Sequence, residues 1–305
     1  MNRFAYIFKL KDVDHIVSAN FLADRINDST AFVSPWKKVG LLIKQLVSFS
    51  FSGLLYGKIA KFLLEQSKSN RITECSPKGS FSIKISTGCL GTCTFCAVRL
   101  SRGKLKSKSI EAVKKEFDEG LQKGFSEFYL IGTDIGSYGR DIGTNLAVLL
   151  NELISRHGDY AIMLRNFEPK YLIEMYSELK PIFESGKISC ISTAVQSGSD
   201  RILSLMNRQY KIQDFKNIVM SIKNDFPGIK IRTQMMVGFP TETYEEFGQT
   251  MRLVDELDFD YIEVYKFQPR PNTKASRLEG HISRKTANKR YRILLTKILF
   301  NQFHT

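Results

Sequence analysis

Nothing in the 305 residues of this chain is long and apolar enough to span a bilayer. The longest uncharged run near the N-terminus lies between Lys44 and Lys58, whereas a spanning helix needs about 20 apolar residues. The first ten residues contain Arg3 and Lys9 but no sustained apolar core, which argues against a secretory leader. The five cysteines, without such a leader, do not make a disulfide framework. The expectation is a cytoplasmic protein with reduced thiols and no membrane association. No internal repeat and no low-complexity tract interrupts the chain. Acids are also scarce: 45 Lys and Arg face 31 Asp and Glu, for a net charge of +14. Two stretches free of acid concentrate the excess. One holds Arg99, Arg102, Lys104, Lys106 and Lys108, and the other Arg284, Lys285, Lys289, Arg290, Arg292 and Lys297. Such patches fit contact with nucleic acid, the plainer alternative being a solvated basic face.

What is present is a regular alternation of strand and helix. Phe81, Ile83 and Ile85 alternate with polar residues, as in a strand. Ile110, Val113, Phe117 and Leu121 share one helical face, and Gly124 stops that helix. Further strands are predicted at 127–131, 161–167, 187–195, 229–237 and 261–267, and helices at 146–154, 171–183, 212–222, 243–257 and 283–303. Six strands separated by helices predict parallel βαβ units in an α/β fold. Periodicity does not separate an open sheet from a barrel. Residues 1–80 read as an N-terminal extension, with one or two amphipathic helices over 41–64 and a linker over 68–78. Residues 81–280 form the core, and 281–305 a basic C-terminal helix.

Chemistry concentrates in Gly88-Cys89-Leu90-Gly91-Thr92-Cys93-Thr94-Phe95-Cys96. Three thiolates at this spacing, just after a strand, can hold three irons of a four-iron cluster. Such a cubane normally takes four cysteines, so one iron stays open for a substrate or cofactor. A zinc knuckle wants four ligands in paired short spacings, and the nearest following candidates, His157 and Cys190, are far along the chain.

At this motif the chain resembles the radical S-adenosylmethionine (SAM) enzymes. The resemblance implies a partial six-stranded (βα)6 barrel, one [4Fe-4S] cluster on Cys89, Cys93 and Cys96, and SAM chelated by the open iron. It also implies that Phe95 packs beside the cluster and that ligand chemistry sits at the C-terminal ends of the strands. The chemistry implied is cleavage of SAM to a 5′-deoxyadenosyl radical that abstracts hydrogen from a C–H bond. An electron donor such as flavodoxin or ferredoxin is expected. Further segments resemble one branch, the tRNA methylthiotransferases, and within it the members acting on threonylcarbamoyladenosine. These are Arg102-Gly103-Lys104-Leu105-Lys106-Ser107, the run from Leu130 to Asp141, Arg165-Asn166-Phe167-Glu168-Pro169, the run from Val195 to Asp200, the run from Met236 to Thr243, and the run from Phe267 to Thr273.

Several residues in these runs are candidates for holding the cofactor. Asp134 can accept hydrogen bonds from an ammonium or a ribose. Gln196 and Ser197 can donate and accept at a polar pocket rim. Arg232 can pair with a carboxylate. Gly238 opens a tight strand exit, after which Thr241 or Thr243 caps the next helix with Glu245 and Glu246 in its first turn. Gly132 and Gly136 allow close backbone approach to a ligand. Glu168 reads as a partner for backbone donors, and Arg270 as either an RNA contact or a brace.

The chain also departs from that family. Family members carry three further cysteines in an N-terminal domain, where residues 1–88 hold only Cys75. They also end in a small RNA-binding β-barrel, which is not expected here. A separate sulfur donor is therefore expected if sulfur is inserted. The residues before Gln196 lack the family's His, and Gln234 stands where the family has Asp. Two functions follow as expectations: methylthiolation of a modified adenosine in tRNA, or radical tailoring of a peptide or small metabolite without sulfur insertion. A non-catalytic iron–sulfur RNA-binding protein fits the complete cysteine triad less well.

Overall fold

Strands and helices succeed one another along residues 79–304, which are the residues that the computed structural model describes. β1 (Ser80–Lys84) leads into a short β2 (Ser86–Thr87), which pairs antiparallel with β3 (Lys106–Ser107). The cysteine loop and α1 (Val98–Arg102) lie between β2 and β3. There follow α2 (Ile110–Gln122), β4 (Glu127–Ile131), α3 (Leu146–Ile154), β5 (Ala161–Leu164), α4 (Pro169–Glu174) and α5 (Tyr176–Glu184). The chain continues through β6 (Ile188–Gln196), α6 (Asp200–Leu205), α7 (Ile212–Asp225), β7 (Lys230–Val237), α8 (Tyr244–Leu257), β8 (Tyr261–Lys266) and α9 (Arg284–His304).

β1, β4, β5, β6, β7 and β8 form one sheet in that order, and every neighbouring pair is parallel. Parallel neighbours require a crossover, which the intervening helices supply. The predicted α/β class with six parallel strands is what forms. Because side chains alternate along a strand, one face collects Ile83, Leu130, Leu164, Ile191, Ile231 and Ile262, all buried with Val113, Phe117, Leu150, Val219 and Leu253 of the helices. The opposite face carries Lys84, Arg165, Ser192, Arg232 and Tyr261. The loops that bear the chemistry leave the C-terminal ends of the strands.

Capping residues fix the helix starts. Ser109 Oγ accepts from Ala112 N–H and Asn145 Oδ1 from Val148 N–H. Thr243 and Glu246 form a reciprocal capping box at α8. Thr241 does not cap: it takes a left-handed φ of 63°, and its hydroxyl accepts from Arg201.

Three expectations needed correction. The strand predicted over 161–167 ends at Leu164 because Asn166 turns to φ 61°, where its amide donates to the Gly132 carbonyl at 2.9 Å. The helix predicted over 171–183 divides at Met175, whose change of direction buries that side chain. The β2–β3 hairpin, α1 and α6 were not predicted, because segments of two to six residues are too short for a periodic pattern to repeat. The expectations for 41–64, 68–78 and Cys75 lie outside the described residues. No helix among the described residues is long and apolar enough to cross a membrane.

Candidate functional site

The cysteine loop leaves β2 at Gly88, which takes φ 72°. A Cβ there would stand 2.0 Å from the Lys104 carbonyl oxygen, so only glycine lets the loop lie against the hairpin. The rest of the loop is tied to the end of α6. Thr94 N–H donates to the Met206 carbonyl at 3.0 Å and its hydroxyl to the Leu205 carbonyl at 2.7 Å. Asn207 Nδ2 donates to the Thr92 carbonyl at 3.1 Å. Ala275 N–H donates to the Thr94 carbonyl at 2.9 Å. Elements more than a hundred residues away thus hold the loop in place.

Cys89, Cys93 and Cys96 are free thiols, all partly buried. Gly91 N–H points at Cys89 Sγ from 3.1 Å. A Cβ on Gly91 would stand 3.1 Å from Cys89 Sγ and 3.8 Å from Cys93 Sγ, so the two sulfurs flank a glycine that leaves them room. Among the described residues, no three His, Cys, Asp or Glu side chains converge on a single metal ion. A multi-iron cluster makes no such demand, since each thiolate takes its own iron. Burial, and then the Asp134 carboxylate, pushes the Cys89 thiol up to about 12. Burial also raises Cys93, with the Arg208 cation opposing it. Ligation by these sulfurs therefore releases protons.

Around the sulfurs lies a buried charged group. Arg208 Nη1 stands 2.5 Å from Glu168 Oε2 and 3.5 Å from Cys93 Sγ, and its Nη2 donates to the Ala194 carbonyl at 2.6 Å. The Arg208 and Glu168 side chains are 5% and 19% exposed, so little water screens the pair. Burial lifts the Glu168 carboxyl to about 7 against the pull of Arg208. Arg208 Nε is buried without a hydrogen-bond partner among the described residues, and so is Gln196 Oε1. One is an unanswered donor and the other an unanswered acceptor, and both stand available to a bound group beside the cysteines.

The predicted site residues fall into two groups. Asp134 is buried near the cysteines, its Oδ2 4.0 Å from Cys89 Sγ. Its Oδ1 accepts from Gly136 N–H at 3.0 Å and Glu168 N–H at 3.2 Å, so that oxygen braces the strand-end loops. Burial raises its carboxyl to about 6. Phe95 packs against a small apolar cluster of Ile202, Met206, Phe239 and Ala275. Gln196 ends β6 at φ 67°, a strained conformation for a non-glycine and a frequent mark of a functional position. Ser197 lies deeper than the pocket rim expected for it: fully buried, its hydroxyl accepts from Ser199 N–H and meets Thr250 Oγ1 at 3.4 Å. Gly238, at φ 77°, leaves room for α9, since a Cβ there would stand 2.8 Å from Ala287 Cβ. Arg232 sits lower on β7, its guanidinium 4.6 Å from the Tyr261 ring centre and 3.5 Å from Glu263. Gly136 serves packing, because a Cβ would meet Tyr171 and Phe167 within 3 Å.

Sequence reasoning missed Arg208 and misassigned its partner. Glu168 makes no side-chain cap; its carboxylate answers Arg208. Arg208 lies in a connection between two helices, outside every run that prompted attention. The sequence shows only an arginine next to Asn207, whose left-handed φ of 56° appears in the structure alone. The basic C-terminal stretch is also partly committed: Arg290 is buried against Glu242, and Lys297 pairs with Asp255. Arg102, Lys104, Lys106, Arg284, Lys285, Lys289 and Arg292 remain exposed.

Comparison with known proteins identifies the family. The family model described as Radical SAM superfamily matches residues 83–254, over half of the chain. The threonylcarbamoyladenosine tRNA methylthiotransferase MtaB of Thermotoga maritima is 38% identical over 229 residues, covering 72% of this chain and 52% of that protein. The human threonylcarbamoyladenosine tRNA methylthiotransferase is 38% identical over 199 residues, covering 65% and 34%. The chain thus spans about half the length of the first and a third of the second. Among solved structures, the radical S-adenosylmethionine methyltransferase TsrM of Kitasatospora setae shares the fold, with a TM-score of 0.55 at 17% identity, over 65% of this chain and 38% of that one.

Proposed function

Because the chain belongs to the radical SAM superfamily, we propose that it functionalises a C–H bond of a modified adenosine in tRNA, by methylthiolation, with a [4Fe-4S] cluster and SAM as its cofactors. The observation that carries this reading is the cysteine triad beside a buried Arg208–Glu168 pair, with Arg208 Nε and Gln196 Oε1 unanswered. Cys89, Cys93 and Cys96 would hold the cluster. When bound, the two cofactors supply one-electron cleavage of a carbon–sulfur bond and hydrogen abstraction from the substrate.

The chain's own residues orient and enclose. The Arg208 guanidinium suits the carboxylate of the cofactor's amino-acid end, and the Glu168 carboxylate suits its ammonium. Gln196 Oε1 can accept from a ribose hydroxyl. Phe95 and its apolar neighbours keep water from that side. Asp134 holds the strand-end loops together through two backbone N–H groups.

The relatives and the charge distribution support this substrate class. The exposed cations of the hairpin and of α9 suit RNA phosphates, and binding should fall steeply with salt, by a slope of about 0.7–0.9 per phosphate neutralised. An anticodon loop presents splayed bases, the form of RNA that proteins read best.

Two measurements test the reading. Iron counting and electron paramagnetic resonance on the anaerobically reconstituted chain should find one four-iron cluster. It should be lost when Cys89, Cys93 and Cys96 become Ala and kept in Cys190→Ala. Mass spectrometry of tRNA nucleosides should show a methylthio group missing when the gene is deleted. An unchanged nucleoside profile would move the activity to a peptide or small metabolite.

A further inference from the structure

The face of the sheet opposite the helices carries cations apart from the Arg208–Glu168 pair beside the cysteines. Strand register aligns them in one row. Lys84 pairs with Ile131, and Arg165 N–H continues the ladder to the Leu130 carbonyl at 3.1 Å. Phe167 N–H donates to the Ser192 carbonyl, Ser192 pairs with Arg232, and Arg232 with Tyr261. The neighbours Leu164, Ile191 and Ile231 point to the helices, so Arg165 and Arg232 share the other face.

One carboxylate nearer the strand ends organises this face. Glu263 takes Arg232 Nη2 at 3.5 Å, Gln234 Nε2 at 3.2 Å and the Tyr265 hydroxyl. The Arg165 cation acts on the same Tyr265 hydroxyl from across the sheet. Arg165 has no ion-pair partner among the described residues. Two guanidiniums and one carboxylate leave one positive charge in excess, and Lys84 in the same row adds a second. This excess would attract a carboxylate on a ligand. The exposed cations of α9 already suit phosphates on the outer surface, whereas this row lies on the inner face, where Arg232 is only 9% exposed.

We propose that this basin reads a carboxylate on the substrate base, and that Arg165 determines specificity for an adenosine whose N6 substituent ends in a free carboxyl group. The proposal rests on the reading of the substrate as a modified tRNA adenosine. A threonylcarbamoyl group ends in such a carboxylate; an alkyl substituent does not. An uncharged substituent would leave Arg165 facing a partly buried space without an anion, and sites built to bond a polar group reject analogues that lack it by large factors. Arg165 suits this task because its planar fork binds a carboxylate through two parallel hydrogen bonds.

The test is binding by the full reconstituted chain. The probes are anticodon stem–loops carrying threonylcarbamoyladenosine, its methyl ester, or plain adenosine. The wild-type chain should bind the acid at least about tenfold more tightly than the ester, as expected for a charge-assisted hydrogen bond. Arg165→Gln should abolish that preference while leaving affinity for the plain adenosine loop unchanged, and Arg165→Lys should restore part of it. Equal binding of acid and ester by the wild-type chain overturns the proposal, as does a preference that survives in Arg165→Gln. If Arg165→Gln does not fold, the acid–ester ratio of the wild-type chain decides. If no stem–loop binds, the tRNA reading itself fails. Calorimetry with the free acid and ester nucleosides then decides the basin alone: a preference for the acid retains it, and equal or absent binding overturns it.

Discussion

Substitution can separate the structural role of Arg208 from the cofactor-binding role proposed for it. In Arg208→Met the volume is kept, but Glu168 loses its cation and the Ala194 carbonyl loses a donor. Breaking one partner of a buried pair leaves an uncompensated charge, at a cost of about 3–5 kcal/mol. Glu168 then loses the largest influence holding its carboxyl down, and rises beyond its present value of about 7. A carboxyl raised above its unfolded value of 4.5 loses stability as pH climbs through its folded value. The deficit of Arg208→Met should therefore be larger at pH 8 than at pH 6. Adding Glu168→Gln removes the orphaned charge and should recover most of the loss. SAM affinity should behave differently. Both the single and the double variant lack the guanidinium and should bind SAM about 10–100-fold more weakly, the worth of a charged hydrogen bond. Urea midpoints of the iron-free chain read the first quantity, and equilibrium dialysis of the reconstituted chain reads the second. A single variant with wild-type stability, or a double variant with wild-type SAM affinity, would refute the assignment.

Two further outcomes concern how the core is closed. Arg290 Nη1 donates to Glu242 Oε2 at 2.6 Å and to the Glu242 carbonyl at 2.8 Å, both side chains being at most 8% exposed. Arg290→Met should cost about 3–5 kcal/mol and expose α9 to limited proteolysis, and wild-type resistance would contradict this. Glu246 is held down to about 2, chiefly by the Arg201 fork, with Thr243 N–H and the Ser199 hydroxyl assisting. This stability is present above the unfolded value of 4.5 and fades as pH falls towards 2. Because Arg201 is half exposed, the contribution is about 2 kcal/mol rather than the full shift. The thermal midpoint of Glu246→Gln should lie below that of the wild type at pH 7, and the gap should narrow below pH 4.5 and close only towards pH 2; parallel curves would contradict the pairing.

The fold was legible because its pattern is redundant. Each strand alternates, each long helix has a stripe, and caps such as Ser109 and Thr243 stand in plain sight. The cysteine triad was legible for a different reason, since its spacing lies within eight residues of one loop. What could not be read were contacts between residues that only the folded chain brings together. Arg208 and Glu168 are forty positions apart, and neither sits in a local pattern that announces the other. Ser197 and Gly238 belong to recognisable runs, yet packing against Thr250 and Ala287 decides their surroundings.

The same limit explains the departure at Gln234. Read alone, an amide where the family has Asp looks like the loss of a functional acid. In the folded chain Gln234 pairs in register with Glu263 on β8, and its Nε2 donates to Glu263 Oε2 at 3.2 Å. An Asp at 234 would set a second carboxylate against Glu263 in place of an amide donor, and like charges directly opposite in a sheet destabilise it. The acid has not vanished from this face: Glu263 supplies it one strand over, and the amide is the residue that fits beside it. A departure from a family motif is thus informative only together with its cross-strand neighbour.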